Sequence, residues 1–263
     1  MSPSDSKSFT DSEDYRKKKA FYSQLLTVFG RKPVLEILDD SSVNCFRLHL
    51  AQSNKTNGII QQILDKAQQR GIEVLYHERQ TLSRISKNGK QDQGVCLDIH
   101  CPRFRYYDSP VSNDQQPLRL LAIEKVTNPQ NLGMIIRSAC AGDIDGILLP
   151  QKGCARLDSL VIKASAGTVF KAPLILCNDL SEALSYYQKR GAVVIGLTGK
   201  ANQSLAEIKE NGATIYVVGN ETEGLSQVLL KQCDAKAYIP MRNGVESLNV
   251  AVAASLVAFR SLL

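Results

Sequence analysis

The stretch Ile239-Pro240-Met241-Arg242-Asn243-Gly244-Val245-Glu246-Ser247-Leu248-Asn249-Val250 leaves an apolar run, crosses a polar turn and enters a helix predicted from Ser247 to Leu263. The only polar residues of that helix are Ser247, Asn249, Ser255, Arg260 and Ser261, with no acid among them. A surface helix carries one apolar stripe, whereas one that is apolar nearly all round expects burial on most sides. Ser247 and Asn249 nonetheless sit in its first turn, where free backbone N–H groups and the positive end of the helix dipole collect ligands. A buried helix with polar groups gathered at its mouth points to a site. An N-cap serine followed by a turn asparagine accounts for the same residues, so the rest of the chain has to decide.

The 263 residues allow one large or two ordinary domains, and 43% hydrophobic with 22% charged residues is a globular composition able to bury a core. A net charge of +6 is mildly basic, compatible with an anionic partner such as RNA. No run reaches the roughly 18 apolar residues of a membrane span, and the polar start Met-Ser-Pro-Ser-Asp-Ser-Lys lacks the apolar segment of a secretory signal. The seven cysteines (45, 96, 101, 140, 154, 177 and 233) are odd in number and scattered in apolar runs. They read as reduced thiols of a cytoplasmic protein.

Along the chain, residues 1–30 form an N-terminal extension. Within it Tyr15 to Phe29 is predicted as a short helix with a basic start (Arg16, Lys17, Lys18, Lys19) and an apolar face, stopped by Gly30. Residues 31–101 alternate helical and strand patterns and make a small α/β domain. Residues 102–117 hold three of the nine prolines and no aliphatic run, which marks a linker. From 118 to 263, near-continuous apolar runs alternate with helical patterns, the rhythm of a parallel sheet. Strands are predicted at Leu118–Ile123, Gly146–Leu149, Pro173–Cys177, Ala192–Leu197, Thr214–Val218 and Ala237–Ile239, with helices near 131–142, 157–165, 180–190, 204–210 and 224–232. The fold class is therefore α/β, and an open parallel sheet keeps its ligand crevice beyond the carboxyl ends of its strands.

Four loops follow strands of that second domain. In Asn128-Pro129-Gln130-Asn131-Leu132-Gly133, either asparagine can cap the next helix, and Arg137 is expected on the same general side as the helix mouth; a surface ion pair is its ordinary role. Leu197-Thr198-Gly199 ends a strand with a glycine that admits a ligand to the backbone. Gly219-Asn220-Glu221-Thr222-Glu223-Gly224 sets two glycines around carboxylates at a helix start. It matches neither the Walker loop nor the dinucleotide fingerprint, and its acids also suit the helix dipole. The fourth loop is the opening stretch. Cys96-Leu97-Asp98-Ile99-His100-Cys101 contains metal-ligand residue types. It has no second pair at zinc spacing, and alternate strand residues face opposite ways, so no metal is expected. His49 and His77 show no partner pattern.

Taken together and in this order, the loops resemble the signature motifs of the SpoU-type (TrmH-like) RNA ribose 2′-O-methyltransferases of the SPOUT class, and most of all its ribosomal RNA guanosine-2′-O members. The carriers are Asn131-Leu132-Gly133 with Arg137, then Gly219 to Gly224, then Ile239-Pro240-Met241 with Ser247-Leu248-Asn249. The first domain is similar to the substrate-binding domain of the ribosomal RNA members, and its Gln93-Gly94-Val95 matches that domain's closing motif; Asp92 stands where the family often has His. The resemblance implies a parallel-sheet catalytic domain with a trefoil knot, a homodimer, and methyl transfer from S-adenosyl-L-methionine. It implies cofactor binding by Leu197, Thr198, Gly199, Gly219, Asn220, Glu221, Gly224, Ile239, Met241, Ser247 and Leu248, and catalysis by Arg137 with Asn131 and Asn249. Arg137 would act either as the base or by stabilising the developing alkoxide while another group takes the proton. Arg79, Arg84, Lys87, Lys90, Arg103 and Arg105 are the candidates for contacts to structured RNA. Large-subunit ribosomal RNA is the expected substrate; transfer RNA, or a non-catalytic RNA-binding or ribosome-assembly protein with this fold, is the alternative.

Overall fold

A computed structural model describes residues 21–109, 118–220 and 222–262. The first sheet contains β1 (Leu25–Phe29), β2 (Cys45–Ala51), β3 (Glu73–His77) and β4 (Val95–His100) in the order β1-β4-β2-β3. β4 runs antiparallel to β1 and β2, and β2 is parallel to β3. Helices α1 (Arg31–Asp39) and α2 (Gly58–Gln69) bury Val34, Ile37, Leu38, Ile60, Ile63 and Ala67. The shorter α3 (Arg79–Ser86) covers Ala51 and Cys96 through Leu82.

The helix expected over Tyr15–Phe29 is corrected at its end. Residues 21–23 are helical, but Leu25–Phe29 is a strand paired with β4. Leu26 and Val28 alternate into the core, a period-two burial in which cross-strand pairing prevails over local helical preference. Residues 15–20 of that expectation lie outside the described residues.

The second sheet contains β5 (Arg105–Tyr106), β6 (Arg119–Ile123), β7 (Gly146–Pro150), β8 (Leu174–Cys177), β9 (Val193–Leu197), β10 (Gln203–Ser204), β11 (Thr214–Val218) and β12 (Ala235–Tyr238). Its order is β10-β12-β9-β11-β6-β7-β8-β5, and every pairing is parallel. All five residues of β7 and of β11 are buried, as helices on both faces of a parallel sheet require. Those helices are α4 (Pro129–Ala141), α5 (Ser159–Ala164), α6 (Leu180–Gln188), α7 (Gln227–Gln232) and α8 (Val250–Phe259). Each falls within or beside its predicted span except the helix near 204–210. There the chain makes only β10 and a single 3-10 turn at Leu205–Glu207, closed by a reciprocal capping box between Ser204 and Glu207.

The C-terminal helix is shorter than expected. It begins at Val250, with Asn249 rather than Ser247 as its N-cap, because Asn249 Oδ1 accepts from Ala251 N at 2.8 Å. It is not buried on most sides either. Val250, Ala251, Ala254, Val257 and Ala258 face the core, while Val252 and Leu256 are 47% and 40% exposed.

Candidate active site

Leu197, Val218 and Tyr238, the last residues of β9, β11 and β12, open onto one pocket of about 770 Å³ at the carboxyl ends of the sheet. That volume falls within the range usual for small-molecule sites. Of the eleven residues expected to hold a cofactor, the pocket is lined by Leu197, Thr198, Gly199, Gly219, Asn220, Gly224, Ile239, Met241, Ser247 and Leu248. Glu221 lies outside the described residues. Sequence reading overlooked Lys200, Tyr238 and Glu246, which also line it; they adjoin the motifs, and strand-end position was their only signal.

The loop after β11 explains its glycines. Asn220 and Gly224 exchange both backbone hydrogen bonds, at 3.1 and 2.9 Å. A Cβ on Gly219 would lie 2.5 Å from Leu225 N, so only glycine allows this closure. Gly224 has φ +69°, where a side chain is strained. The Asn220 side chain builds the loop: Oδ1 accepts from Thr222 N (2.8 Å) and Glu223 N (3.1 Å), and Nδ2 donates to Lys125 O at 3.0 Å. Its contribution is the shape of the cup. Gly199 differs, since a Cβ there would meet nothing within 4 Å. Its missing side chain leaves room in the pocket itself.

The first loop is sewn to the same place. Asn128, not Asn131, caps α4, accepting from Gln130 N at 2.8 Å with Pro129 at the first helical position. That leaves the buried Asn131 side chain to accept from Asn249 Nδ2 at 3.1 Å. Glu124, buried at the end of β6, accepts from Ser226 N at 2.8 Å and ties this loop to the start of α7.

Arg137 departs from expectation. Six residues beyond Asn131 turn the helix by about 600°, which leaves the two side chains about 120° apart. Asn131 is buried and Arg137 exposed, with no hydrogen bond or ion pair to a described residue. Such an Arg is available to an anionic ligand.

The basic residues of the first domain divide. Arg84, Lys87, Lys90 and Arg103 are exposed. Arg79, expected on RNA, is engaged within the protein: it pairs with the buried Asp92 and donates to Gly89 O at 2.8 Å. Burial works against the Asp92 charge. Hydrogen bonds from Gly94 N, Ser86 and Arg79 outweigh it and hold the carboxyl below its ordinary range. Arg105 is half-buried in β5, and its Nη1 has no hydrogen-bond partner among the described residues.

The histidines do have partners. His49 Nδ1 lies 2.9 Å from His77 Nε2, His49 Nε2 lies 3.0 Å from Asp98 Oδ2, and Thr27 donates to Asp98 Oδ1 at 2.6 Å. Burial, with His49 adding to it, lowers the His77 pKa. Only strand register brings these residues together, so no sequence spacing reveals them.

An all-parallel sheet with a glycine-built pocket at its carboxyl ends, joined to a small α/β domain, defines a two-domain α/β architecture. The SpoU rRNA Methylase family matches residues 119–259, and the RNA 2′-O ribose methyltransferase substrate-binding family matches residues 27–105. A protein of Mycolicibacterium vanbaalenii, named as an uncharacterized tRNA/rRNA methyltransferase, is 33% identical over 88% of this chain and 74% of its own length. Its Mycobacterium leprae counterpart is 33% identical over 88% and 75%. Among solved structures, the AdoMet-bound rRNA methyltransferase of Sinorhizobium meliloti superposes with a TM-score of 0.59 at 25% identity, covering 96% of this chain and 92% of that one. The SpoU methyltransferase AviRb of Streptomyces viridochromogenes, in complex with AdoMet, shares the fold with a TM-score of 0.59 at 20% identity, covering 95% and 93%. This chain belongs to the SpoU RNA methyltransferase family.

Proposed function

We propose that this enzyme transfers a methyl group from S-adenosylmethionine to a ribose 2′-hydroxyl of RNA, with large-subunit ribosomal RNA as substrate. The observation that carries this reading is the convergence of Leu197–Gly199, Gly219–Gly224 and Ile239–Leu248 on one pocket, next to the loop whose Asn131 meets Asn249. When bound, the cofactor supplies an electrophilic methyl carbon. Leu197, Ile239, Met241 and Leu248 offer apolar walls for an adenine ring. Backbone groups at Thr198, Gly199, Gly219 and Gly224, with the Ser247 hydroxyl, offer polar edges, and Glu221 completes the set by its place in the motif.

A 2′-hydroxyl must lose its proton to attack, and an arginine is normally fully protonated. Arg137 therefore stabilises the developing alkoxide or the adjoining phosphate, while the proton passes to another group or to water. Asn131 and Asn249, fixed by each other, join the first turn of the Arg137 helix to the start of α8. The substrate-binding domain supports RNA as the acceptor, and its presence favours ribosomal over transfer RNA.

Three further features belong to this reading. The placement of β12 between β10 and β9, with α8 packed on α4, suits a C-terminal segment threaded as a trefoil knot. Met134, Val252 and Leu256 are 42%, 47% and 40% exposed on those two helices, an apolar face for a second copy of the chain. Seven free thiols, with burial raising the Cys96, Cys101 and Cys177 pKa values to about 12, fit a reducing cytoplasm. Among the described residues no helix is long and apolar enough to cross a membrane.

The test combines calorimetry of S-adenosylmethionine binding with mapping of 2′-O-methylation in ribosomal and transfer RNA incubated with the protein. Cofactor binding with methylation of ribosomal RNA is expected. Methylation of transfer RNA alone moves the substrate, and absence of both binding and transfer leaves a non-catalytic RNA-binding protein.

A further inference from the structure

A second cavity, of about 920 Å³, lies on the first domain, where Arg31, Lys32, Asn54, Arg79 and Gln93 are among its lining, and Ser159 is the one lining residue from the second domain. It contains three cations and no carboxylate side chain. Arg79 is neutralised by Asp92, but among the described residues Arg31 is held only by neutral acceptors. Its Nη2 donates to Asn54 Oδ1 at 3.0 Å and its Nε to Gln93 O at 3.3 Å, while its backbone N–H donates to Gln93 Oε1 at 3.1 Å.

The frame around Arg31 is built, not incidental. Gln93 and Gly94 both adopt positive φ, 52° and 76°. Asn54 Nδ2 donates to Gly94 O at 2.7 Å. A Cβ on Gly94 would lie 2.7 Å from that same nitrogen. Backbone strain at a non-glycine residue persists only where surrounding contacts fix it, and here those contacts aim a guanidinium that pairs with no described carboxylate. Lys32 is exposed beside it and makes no hydrogen bond or ion pair among the described residues.

A short run of chain links the cavity wall to the loop that starts α4. The loop after β7 runs from Ala155, whose N–H donates to Val126 O of the Asn128 loop at 2.8 Å, to Ser159 in the cavity wall. Between them Arg156 donates to Ser86 O (3.1 Å) and Lys87 O (3.0 Å) of the first domain. One five-residue path thus joins the cavity to the loop that starts α4, the helix of Arg137.

We propose that this cleft of the first domain receives a phosphodiester segment of the RNA strand adjoining the target nucleotide, with Arg31 and Lys32 as phosphate ligands and Asn54 and Gln93 as the frame that aims Arg31. The proposal rests on the RNA methyltransferase reading and adds a place where the strand is gripped. Charge without a fixed base-reading edge suits backbone contacts, which position a strand and do not read its sequence.

The test uses the full chain with a fluorescein-labelled oligouridylate 20-mer, its affinity followed by anisotropy over a potassium chloride series. Methylation of protein-free large-subunit ribosomal RNA is measured in parallel at saturating cofactor. Lys32→Glu and Arg31→Gln are each expected to weaken oligonucleotide binding at least five-fold and raise KM for RNA, with cofactor affinity unchanged. Each lost phosphate contact reduces the log–log salt slope by about 0.7. Lys189→Glu, an exposed charge at the end of α6, serves as the control and is expected to change none of these. Wild-type affinity and salt slope in both cleft variants overturn the proposal even where methyl transfer proceeds. A wild-type protein that binds the oligonucleotide but methylates no RNA sinks the methyltransferase reading instead, and the slopes still judge the cleft.

Discussion

Asn249 Nδ2 donates to Asn131 Oδ1 over 3.1 Å, while the Asn249 Oδ1 accepts from Ala251 N at 2.8 Å. One side chain thereby starts the last helix and locks it to the helix of the first motif, 118 residues earlier. Asn249→Ala removes both bonds. A lost cap costs about 1 kcal/mol and a lost hydrogen bond about 0.5–1.5 kcal/mol. A fall of about 1.5–2.5 kcal/mol in urea unfolding is expected, together with loss of methyl transfer. Asn249→Asp keeps the capping acceptor and is expected to recover the cap's share of the stability.

Arg137 has no partner among the described residues and is exposed, so Arg137→Ala is expected to alter stability by less than about 0.5 kcal/mol. Cofactor binding by calorimetry should persist, with methyl transfer reduced at least about 100-fold, as for loss of an electrostatic stabiliser. Loss of both properties together would assign Arg137 a structural role.

Two glycines of the pocket separate shape from occupancy. A Cβ on Gly219 strikes backbone, whereas one on Gly199 meets open space. Gly219→Ala should destabilise the fold by about 1–3 kcal/mol, the usual cost of overpacking. Gly199→Ala should melt as wild type yet weaken S-adenosylmethionine binding about tenfold, because its methyl group enters the pocket. Equal cofactor affinity in Gly199→Ala and wild type would remove this loop from the cofactor site.

Glu210 gathers Arg119, Tyr216 and Arg260: Arg119 Nη2 donates to its Oε2 at 2.5 Å, and Tyr216 Oη (2.5 Å) and Arg260 Nη1 (2.7 Å) donate to its Oε1. Burial opposes the charge, but these donors prevail and lower its pKa. A carboxylate whose pKa is depressed by folding contributes stability above its unfolded pKa, about 4.3, and loses that contribution as pH falls through the folded value. Acid unfolding of wild type should therefore steepen below about pH 4.3, and Glu210→Gln should flatten this limb while lowering stability at pH 7. Unchanged acid limbs would exclude Glu210 as an anchor of the C-terminal helix.

Val252 and Leu256 expose apolar surface on α8 although Arg260 anchors that helix from inside. Val252→Glu with Leu256→Glu should leave the melting profile of the single chain intact and convert a dimer to a monomer in sedimentation equilibrium. A wild-type protein that sediments as a monomer would dismiss this face as an interface between copies.

What the amino-acid sequence determined by itself was the periodic part of the fold. Period-two and period-3.6 patterns placed β6, β7, β8, β9, β11 and most of the helices, because each strand of a parallel sheet is buried along its whole length. The resemblance of the glycine and asparagine loops to the SpoU motifs implied a cofactor set, ten members of which line one pocket. Tertiary structure decided what depends on partners far along the chain. Leu25–Phe29 became a strand because β4 offered a pairing edge. The cap of α4 went to Asn128, and Asn131 was released to Asn249. Arg79 was drawn inward by Asp92, while Arg31 and Lys32, unremarked as sequence, came to line a cleft. Hydrogen-bond geometry and charge pairing act over a few ångströms in space, and only the folded chain fixes which residues share that space.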